Sequence, residues 1–457
     1  MKQVIEIPPE VRHIHCIGVG GSGMFPIVQI LLSKGYAISG SDNNESDILA
    51  LERQLGVAVT LGHSPENLKG ADLVLYSAAI MADNPELMAA REQGIPLWER
   101  ARMLGAISSH FGEAVGICGT HGKTTVTSMV TQILYGAGFD PSAVIGGKLR
   151  AIGGYGRAGK SNLFIYEACE FRDTFLSTFP DTAVVLNIDD DHLDYFGTVE
   201  NAMKSFTRFA GMATRRVLYN GDDPNTVRAM APVEGPEKIT FGRGEGNDYY
   251  AANLQKKDGL CRTFDLMRRG ERVCALTIHV PGDHNVLNAV AGGGAAPGPG
   301  GGPAGGPAPP PPLRGAGRRF EVLGRVNGVT IADDYAHHPA ELAATLRAAK
   351  ELDFREVWAV FQPFTFSRTY LLLEDFVKAL SIADHVVMSP IMGSREKNQW
   401  GIQTKDLGEK IPGSVWFDTF QEMADYTMAH AKPGDLVITL GCGDIYKCAR
   451  LMLEGVG

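Results

Sequence analysis

Short apolar runs alternate with longer amphipathic stretches along most of the chain. In the first hundred residues this pattern predicts strands at 13–17, 37–40 and 73–76, and a helix at 24–32. Strands that alternate with helices indicate a parallel sheet with helices on both faces. We therefore expect the chain to begin with an α/β domain.

The same alternation returns twice further along the chain. In the second set, strands are predicted at 164–170 and 182–188, a strand that contains the apolar residues 114–115 precedes them, and a helix is predicted at 126–134. A third set is predicted at 329–332, 357–361, 385–388 and 436–440, with helices at 339–350 and 370–379. A length of 457 residues also suggests about three domains. The fold class that we predict is α/β with three domains: an N-terminal Rossmann-like domain at 1–107, a central P-loop ATPase-like domain at 108–313 and a C-terminal Rossmann-like, doubly wound sheet at 314–457.

Residues 292–312 interrupt the pattern, because they consist of nine glycines, eight prolines and four alanines. Proline and glycine both disfavour helix, and the segment has no bulky apolar side chain with which to form a core. It follows a helix-like run at 284–290. We predict that this low-complexity segment is a flexible linker, disordered in solution.

Composition and charge exclude several classes of protein. The chain is 44% hydrophobic and 21% charged, as is ordinary for a globular protein, and its net charge of −9 argues against nucleic-acid or membrane-surface binding. It has no apolar run long enough to span a membrane, and its first twelve residues lack the core of a signal peptide. Its seven cysteines are scattered, which favours reduced thiols. We expect a cytoplasmic protein whose oligomeric state is open.

The strongest chemical signal follows the apolar Ala114-Val115 and precedes the helix at 126–134. It reads Gly116-Ile117-Cys118-Gly119-Thr120-His121-Gly122-Lys123-Thr124-Thr125. A turn from strand to helix points backbone amides at an anion, and the helix dipole favours negative charge there. The lysine adds a mobile positive charge, and the hydroxyl after it can bind Mg²⁺. The motif predicts a cradle for the phosphates of ATP or GTP, although Ile117 stands where the usual spacing has a glycine.

A second glycine-rich turn follows the first predicted strand. Gly18, Gly20 and Gly23 have the spacing of a dinucleotide-binding turn, and Asp42 lies at about the distance expected for a ribose contact. The turn alone does not distinguish NAD, FAD and a UDP-sugar.

Polar residues follow several of the predicted strands. In the second domain they are Glu167 and the acidic run that contains His192. Because open α/β sheets bind ligands at the carboxyl ends of their strands, Lys123, Glu167 and His192 are expected to converge. In the third domain, polar or glycine-rich residues follow the strands at 333–339, 362–363 and 441–444.

Seven blocks, in one order along nearly the whole chain, resemble the Mur ligase family of ATP-dependent amide-bond ligases in peptidoglycan synthesis. They lie at 14–24, 119–125, 167–170, 187–192, 284–288, 315–320 and 333–339. The last block resembles the family member that makes the first peptide bond. The resemblance implies a ligase that joins L-alanine to the carboxylate of UDP-N-acetylmuramate, with ATP forming an acyl phosphate.

The resemblance also implies a role for each candidate residue. For ATP, the implied residues are Gly119, Thr120, His121, Gly122, Lys123, Thr124, Thr125, Asn285, Asn288, Arg318, Arg319 and Asp334. For the UDP-sugar, they are Gly18, Gly20, Gly21, Ser22, Gly23, Met24, Asp42 and Ser77. Thr124 and Glu167 would hold one Mg²⁺ and His192 a second. Asp333, His337 and Arg368 would orient the amino acid, with His337 as the base. Lys123, Glu167, His192 and His337 form the expected catalytic set.

Two positions depart from the family pattern. Phe364 stands where histidine is usual, and Thr365 where many relatives have an arginine, so the choice of L-alanine over glycine or L-serine stays open. Three other functions also stay open. One is a recycling ligase that adds a tripeptide, one is an NAD-dependent oxidoreductase, and one is a UDP-sugar sensor with an inactive ATP site. The Lys123 loop argues against the last two.

Overall fold

The computed structural model describes residues 3–190, 193–257, 260–296, 310–394 and 396–455. They form three sheets. Contacts group the chain into two compact units, which are described separately here. The first comprises Met1–Leu254, Phe264–Leu276 and Leu287–Leu313, and the second comprises Gln255–Thr263, Thr277–Val286 and Arg314–Gly457. The three predicted α/β domains are confirmed as an architecture, while their boundaries stay a prediction.

The first sheet has five parallel strands in the order β3-β2-β1-β4-β5. The strands are β1 (His13–Ile17), β2 (Ala37–Asp42), β3 (Ala58–Leu61), β4 (Leu73–Tyr76) and β5 (Leu97–Glu99). The helices are α1 (Phe25–Ser33), α2 (Asp47–Gln54), α3 (Pro85–Glu92) and α4 (Arg100–Ser109). From β1, the chain adds β2 and β3 on one side of the sheet and then β4 and β5 on the other. A ligand crevice is expected at this switch point, between the carboxyl ends of β1 and β4.

The second sheet has ten strands in the order β15-β14-β13-β12-β11-β10-β6-β9-β7-β8. The strands are β6 (Glu113–Cys118), β7 (Ser142–Leu149), β8 (Gly154–Arg157), β9 (Leu163–Glu167), β10 (Thr182–Val185), β11 (Arg216–Asn220), β12 (Glu237–Phe241), β13 (Tyr249–Lys256), β14 (Arg262–Arg268) and β15 (Glu271–Ile278). The helices are α5 (Lys123–Gly136), α6 (Leu193–Phe196), α7 (Val199–Gly211), α8 (Pro224–Met230) and α9 (Asp283–Ala295). β6 lies between β9 and β10 and is parallel to both, which places its carboxyl end centrally.

Helix α9 continues through three consecutive glycines to Ala295, so the prediction that 292–312 cannot form a helix is wrong for its first residues. These glycines are closely packed. A Cβ on Gly292 would lie 3.2 Å from Cβ of Met129, and one on Gly294 would lie 3.1 Å from the ring of Tyr249. Tertiary packing therefore stabilises a turn that helix propensity disfavours. Residues 297–309 lie outside the described residues, and the disorder predicted for them stays a prediction.

The third sheet has six strands in the order β16-β17-β21-β18-β19-β20, with β16 antiparallel to β17 and the other pairs parallel. The strands are β16 (Glu321–Val326), β17 (Val329–Asp334), β18 (Val357–Phe361), β19 (His385–Met388), β20 (Val415–Trp416) and β21 (Leu436–Leu440). The helices are α10 (Pro339–Lys350), α11 (Phe366–Leu371), α12 (Leu373–Leu380), α13 (Thr404–Gly408), α14 (Phe420–His430) and α15 (Tyr446–Glu454). The helix predicted at 370–379 is thus two helices.

Both faces of the third sheet are buried. Ala359 and Phe361 of β18 pack in one apolar core, while Trp358 and Val360 of the same strand pack in another. Alternate side chains of a strand point to opposite faces, so an unbroken apolar run indicates a strand covered on both sides. No helix in the described part of the chain combines the length and apolar character that a membrane span requires.

Candidate active site

The predicted phosphate loop joins the end of β6 to the start of α5. Gly119 has φ of 144° and Gly122 has φ of 88°, both in the region that favours glycine. A side chain at position 119 would also collide with a neighbour, because a Cβ on Gly119 would lie 2.8 Å from Cβ of Leu186. Gly116 is different: it is a residue of β6, and a Cβ there would lie 2.7 Å from the hydroxyl of Tyr166. The loop therefore begins at Gly119.

Asn187 holds the loop in shape from the end of β10. Its Oδ1 accepts a hydrogen bond from the amide of His121 at 2.8 Å, and its Nδ2 donates to the His121 carbonyl at 3.0 Å. The Asn187 carbonyl accepts from the amide of Thr120 at 3.1 Å. No side chain caps α5, and its first turn has no acidic residue. The first amides of α5, including those of Thr124 and Thr125, lack carbonyl partners within the helix, so this terminus suits an anion.

The ammonium group of Lys123 contacts three oxygen atoms. It donates to the carbonyls of Gly119 at 2.6 Å and Thr120 at 3.1 Å, and to Oε1 of Glu170 at 2.8 Å. Burial would lower the pKa of Lys123, but the Glu170 carboxylate outweighs it and raises that pKa above its ordinary value. The sequence analysis did not assign Glu170 to the lysine, although a second carboxylate three residues after Glu167 was a signal.

Glu167 ends β9 and lies opposite Ile117 of β6. Its Oε1 accepts a hydrogen bond from the amide of Gly146 at 2.7 Å. Thr124 is buried in the first turn of α5, while His192 lies outside the described residues. The described residues contain no cluster of three or more His, Cys, Asp or Glu side chains suited to a metal. One carboxylate and one hydroxyl, completed by phosphate oxygens, form a ligand set that suits Mg²⁺.

The turn from Gly18 to Gly23 lies against the end of β2. The amides of Gly18 and Val19 donate to the Ser41 carbonyl at 2.8 and 3.1 Å. Oδ2 of Asp42 accepts from the amide of Gly20 at 3.0 Å, so this carboxylate braces the turn.

Ser77, Gly21, Ser22 and Met24 complete the predicted set at this turn. Ser77 follows β4, and its Oγ lies 3.8 Å from where a Cβ on Gly18 would be. Gly21 and Ser22 lead into α1, and the Met24 amide donates to the Gly21 carbonyl at 2.9 Å. The Met24 side chain is buried in the core, and its predicted contact with the UDP-sugar stays a prediction.

Arg100 is a further residue at this turn, and it was not predicted from the sequence. Its Nη1 lies 3.1 Å from where a Cβ on Gly23 would be, and its charge reaches the thiol of Cys169, the residue before Glu170. Burial raises the pKa of that thiol, and Arg100 opposes the rise. Arg100 thus carries positive charge between the glycine turn and the phosphate loop. No local pattern distinguishes it from other surface arginines.

Helix α9 carries both predicted asparagines. Asn288 lies beside the phosphate loop, because its Oδ1 is 2.9 Å from where a Cβ on Gly122 would be. Asn285 is buried, and its Nδ2 donates to the carbonyl of Pro281 at 2.7 Å.

In the second unit, the two arginines at 318 and 319 have different surroundings. Arg318 donates to Oδ2 of Asp333 at 2.8 Å and to the carbonyls of Gly441 at 2.6 Å and Gly443 at 3.1 Å. The guanidinium of Arg319 lies over the ring of Tyr335 at 5.1 Å and donates no hydrogen bond to the residues that the structure describes. Arg318 therefore acts as a structural clamp, and Arg319 is the arginine available to a ligand.

Asp334 is buried at the end of β17. Its two carboxylate oxygens accept hydrogen bonds from the amides of Phe320 and Ala336, each at 2.7 Å. Burial raises its pKa to about 6, against the opposing charge of Arg319 and these hydrogen bonds. Asp334 thus anchors the turn that carries both arginines, and its predicted contact with a nucleotide stays a prediction.

His337 and Arg368 lie near the same end of the third sheet. Nδ1 of His337 is 3.1 Å from the carbonyl of Tyr335 and 3.2 Å from Oε2 of Glu341. Two acceptors at Nδ1 favour the tautomer in which Nδ1 carries the proton and Nε2 is a free base. Phe364 packs edge-on against His337, with ring centroids 6.5 Å apart. Thr365 caps α11 by accepting from the amide of Arg368.

The chain is similar to known proteins along nearly its whole length. Three family models match: "Mur ligase family, catalytic domain" at residues 13–112, "Mur ligase middle domain" at 117–296 and "Mur ligase, glutamate ligase domain" at 318–443. Relatives named UDP-N-acetylmuramate–L-alanine ligase include that of Alkaliphilus metalliredigens, 38% identical over 97% of both chains. Another, of Acetivibrio thermocellus, is 39% identical over 98% of this chain and 97% of its own.

Two solved structures extend the comparison. UDP-N-acetylmuramate-alanine ligase from Thermotoga maritima has a TM-score of 0.80 at 25% identity, covering 97% of this chain and 98% of its own. A murein peptide ligase from Psychrobacter arcticus shares the fold, with a TM-score of 0.71 at 22% identity and coverage of 98% and 99%.

Proposed function

This chain belongs to the Mur ligase family, and we propose that it joins L-alanine to the carboxylate of UDP-N-acetylmuramate with hydrolysis of ATP to ADP and phosphate. The observation that carries the proposal is the 38% identity to a ligase of that name over 97% of both chains. Reduced thiols support a cytoplasmic location, because all seven cysteines are free.

The first step transfers a phosphoryl group. A carboxylate oxygen of the sugar attacks the γ-phosphorus, the bond to the bridging oxygen breaks, and ADP leaves. Catalysis of this step is mainly positioning and neutralisation of negative charge. In the first unit, Lys123 and the first amides of α5 supply that positive charge. Arg319 keeps the role toward ATP that the resemblance implies. Thr124 and Glu167 would hold Mg²⁺, which neutralises charge on the phosphate oxygens when bound.

The second step forms the amide. The amine nitrogen of L-alanine attacks the acyl carbon, the carbon–oxygen bond to phosphate breaks, and inorganic phosphate leaves. The nitrogen must lose a proton, and Nε2 of His337 is the base that we assign to accept it. Oε2 of Glu341 lies 3.2 Å from the other ring nitrogen, Nδ1, which orients the imidazole.

The UDP part of the sugar is assigned to the Gly18–Gly23 turn and Asp42. The α1 terminus and Arg100 provide positive potential for the diphosphate. Asp42 braces the turn through the Gly20 amide, so it can act on the nucleotide through the shape of the turn as well as directly.

The test is phosphate release from ATP with Mg²⁺ and UDP-N-acetylmuramate, with L-alanine, L-serine, glycine or the tripeptide added in turn. We expect release that requires both the UDP-sugar and L-alanine. Release with the tripeptide alone would instead identify the recycling ligase. Binding of both nucleotides without release under any condition would favour a sensor.

A further inference from the structure

Gln362 carries a buried amide that the fold leaves without a partner. It follows β18, and its backbone amide donates to the Leu440 carbonyl at 3.0 Å. The residue is 6% exposed, and its Oε1 has no hydrogen-bond partner among the described residues. Most buried side-chain polar atoms in proteins have one, and leaving one unpaired costs free energy. A buried acceptor of this kind indicates a donor supplied by a ligand.

The surroundings of Gln362 are built by the neighbouring strand ends. Phe361 of β18 and Asp334 of β17 both lie opposite Leu440 of β21, so Gln362 and Gly441 emerge at the same edge of the sheet. This edge is where open parallel sheets bind ligands.

The turn at 441–443 packs directly on the Gln362 side chain. Gly441 has φ of 146°, and Arg318 holds the carbonyls of Gly441 and Gly443. A Cβ on Gly443 would collide with the Gln362 amide and lie 2.8 Å from the sulfur of Met392. Glycine at 443 therefore makes room for the amide, and the Arg318 clamp fixes the wall beside it.

A positive charge lies next to the same turn. Burial raises the pKa of the Cys442 thiol to about 12, and the charges of Arg368 and Arg318 oppose that rise. Arg318 binds Asp333 and the turn, and Arg368 lies in the first turn of α11. A neutral acceptor and a guanidinium around one turn complement a small molecule that has both an N–H donor and a carboxylate.

We propose that Oε1 of Gln362 accepts a hydrogen bond from the α-amino group of the incoming amino acid, while Arg368 binds its carboxylate. The inference rests on the proposed function and names the residue that aims the amine. An amine whose N–H is held by Oε1 has its lone pair turned away from the amide. Gln362 thus orients the nucleophile for attack on the acyl carbon and is a binding residue that takes no proton itself.

The test compares Gln362→Met with Gln421→Met. Gln421 is an exposed residue of α14 whose amide contacts Asp425, so it controls for the substitution itself. Initial rates are measured with each of the three substrates varied in turn. Hydroxylamine trapping reports acyl-phosphate formation without the amino acid. For Gln362→Met we expect the KM for L-alanine to rise about tenfold or more, with hydroxamate formation and the other two KM values unchanged. Gln421→Met should match the wild type.

The inference is overturned if Gln362→Met has the wild-type KM for L-alanine. It is also overturned if Gln362→Met no longer forms the hydroxamate. Hydroxamate formation by the wild type without turnover of L-alanine would instead count against the proposed acceptor. If Gln362→Met does not fold, Gln362→Glu provides the test. A carboxylate there stabilises the bound ammonium form, so the pH profile of kcat at saturating L-alanine should shift to higher pH, and an unshifted profile would refute the role.

Discussion

The Nζ atom of Lys123 and Oε1 of Glu170 form an ion pair of 2.8 Å that is almost closed to solvent, with the two side chains 17% and 2% exposed. The lysine is the first residue of α5, and the glutamate follows β9. Glu170 favours the charged ammonium in a site where burial lowers the pKa of Lys123. The same contact holds the lysine across its own loop, so its charge lies at the phosphate cradle before a nucleotide binds.

Replacement of Glu170 by glutamine should therefore make activity more sensitive to alkaline pH. Without the carboxylate, burial lowers the pKa of Lys123, and the charged form is lost at lower pH than in the wild type. We expect the alkaline limb of kcat/KM for ATP to move to lower pH. Removing one partner of a buried pair also destabilises a protein by roughly 3 kcal/mol.

Glu113→Gln is the matched control for this prediction. Glu113 is also buried and ion-paired, with Arg215, but it begins β6 at the end of the strand away from the loop. The control should reduce stability without moving the alkaline limb. Superimposable pH profiles for Glu170→Gln and the wild type would contradict the role of Glu170.

The two neighbouring arginines should differ in what their loss affects. Arg318→Ala leaves buried Asp333 without its cation and releases the Gly441 and Gly443 carbonyls, so it should lower the free energy of unfolding by roughly 3 kcal/mol. Arg319→Ala should change stability by less than about 1 kcal/mol and reduce ATP-dependent turnover by roughly 100-fold. Urea unfolding and steady-state kinetics measure both effects. Equal destabilisation by the two variants would refute this division.

Glu52 of α2 should make the protein less stable as pH rises. It is fully buried, neither carboxylate oxygen has a hydrogen-bond partner among the described residues, and burial raises its pKa to about 8. Because the ordinary value is 4.5, the folded protein keeps a proton that the unfolded chain releases between about pH 4.5 and 8. Stability should fall across that window.

Glu52→Gln removes this proton linkage. Relative to the wild type, its free energy of unfolding should improve by roughly 2–4 kcal/mol between pH 4.5 and pH 8. Urea titrations at several pH values measure the change, with exposed Glu92→Gln as the control that should retain the wild-type pH dependence. An effect of Glu52→Gln that is the same at both ends of the window would disprove the linkage.

At the glycines of α9, substitution by alanine would improve helix propensity but worsen packing. In an exposed helix, alanine is more stable than glycine by about 1 kcal/mol. At Gly293, however, a Cβ would lie 2.6 Å from Cδ2 of Leu266, so Gly293→Ala should destabilise the protein by roughly 1–3 kcal/mol. Gly211 ends α7 with open space where its Cβ would be, and Gly211→Ala should not destabilise. Thermal unfolding compares the two, and a stabilising Gly293→Ala would show that the helix is loosely packed.

Local pattern predicted much of this structure because the signals involved are short-range. The strands β18, β19 and β21 were predicted with their observed bounds, since a continuous apolar run identifies a strand buried on both faces. The helix α10 was also predicted with its observed bounds, and the proline at its start and the basic residues in its last turn are local signals of a helix. The phosphate loop was recognisable because its glycines, lysine and threonine act within a few bonds of one another.

What the tertiary structure decided depends on residues far apart in the chain. The pairing of Glu170 with Lys123, the approach of Arg100 to Gly23 and the clamp of Arg318 on Gly441 each join separate elements. The helical conformation of the glycines in α9 also depends on tertiary packing, which intrinsic helix propensity does not include. The sequence by itself thus determined the fold class and the phosphate chemistry, because periodicity and turn geometry are local. The fold decided which charges are paired and which amides stay unpaired, because burial and partnership exist only once distant segments meet.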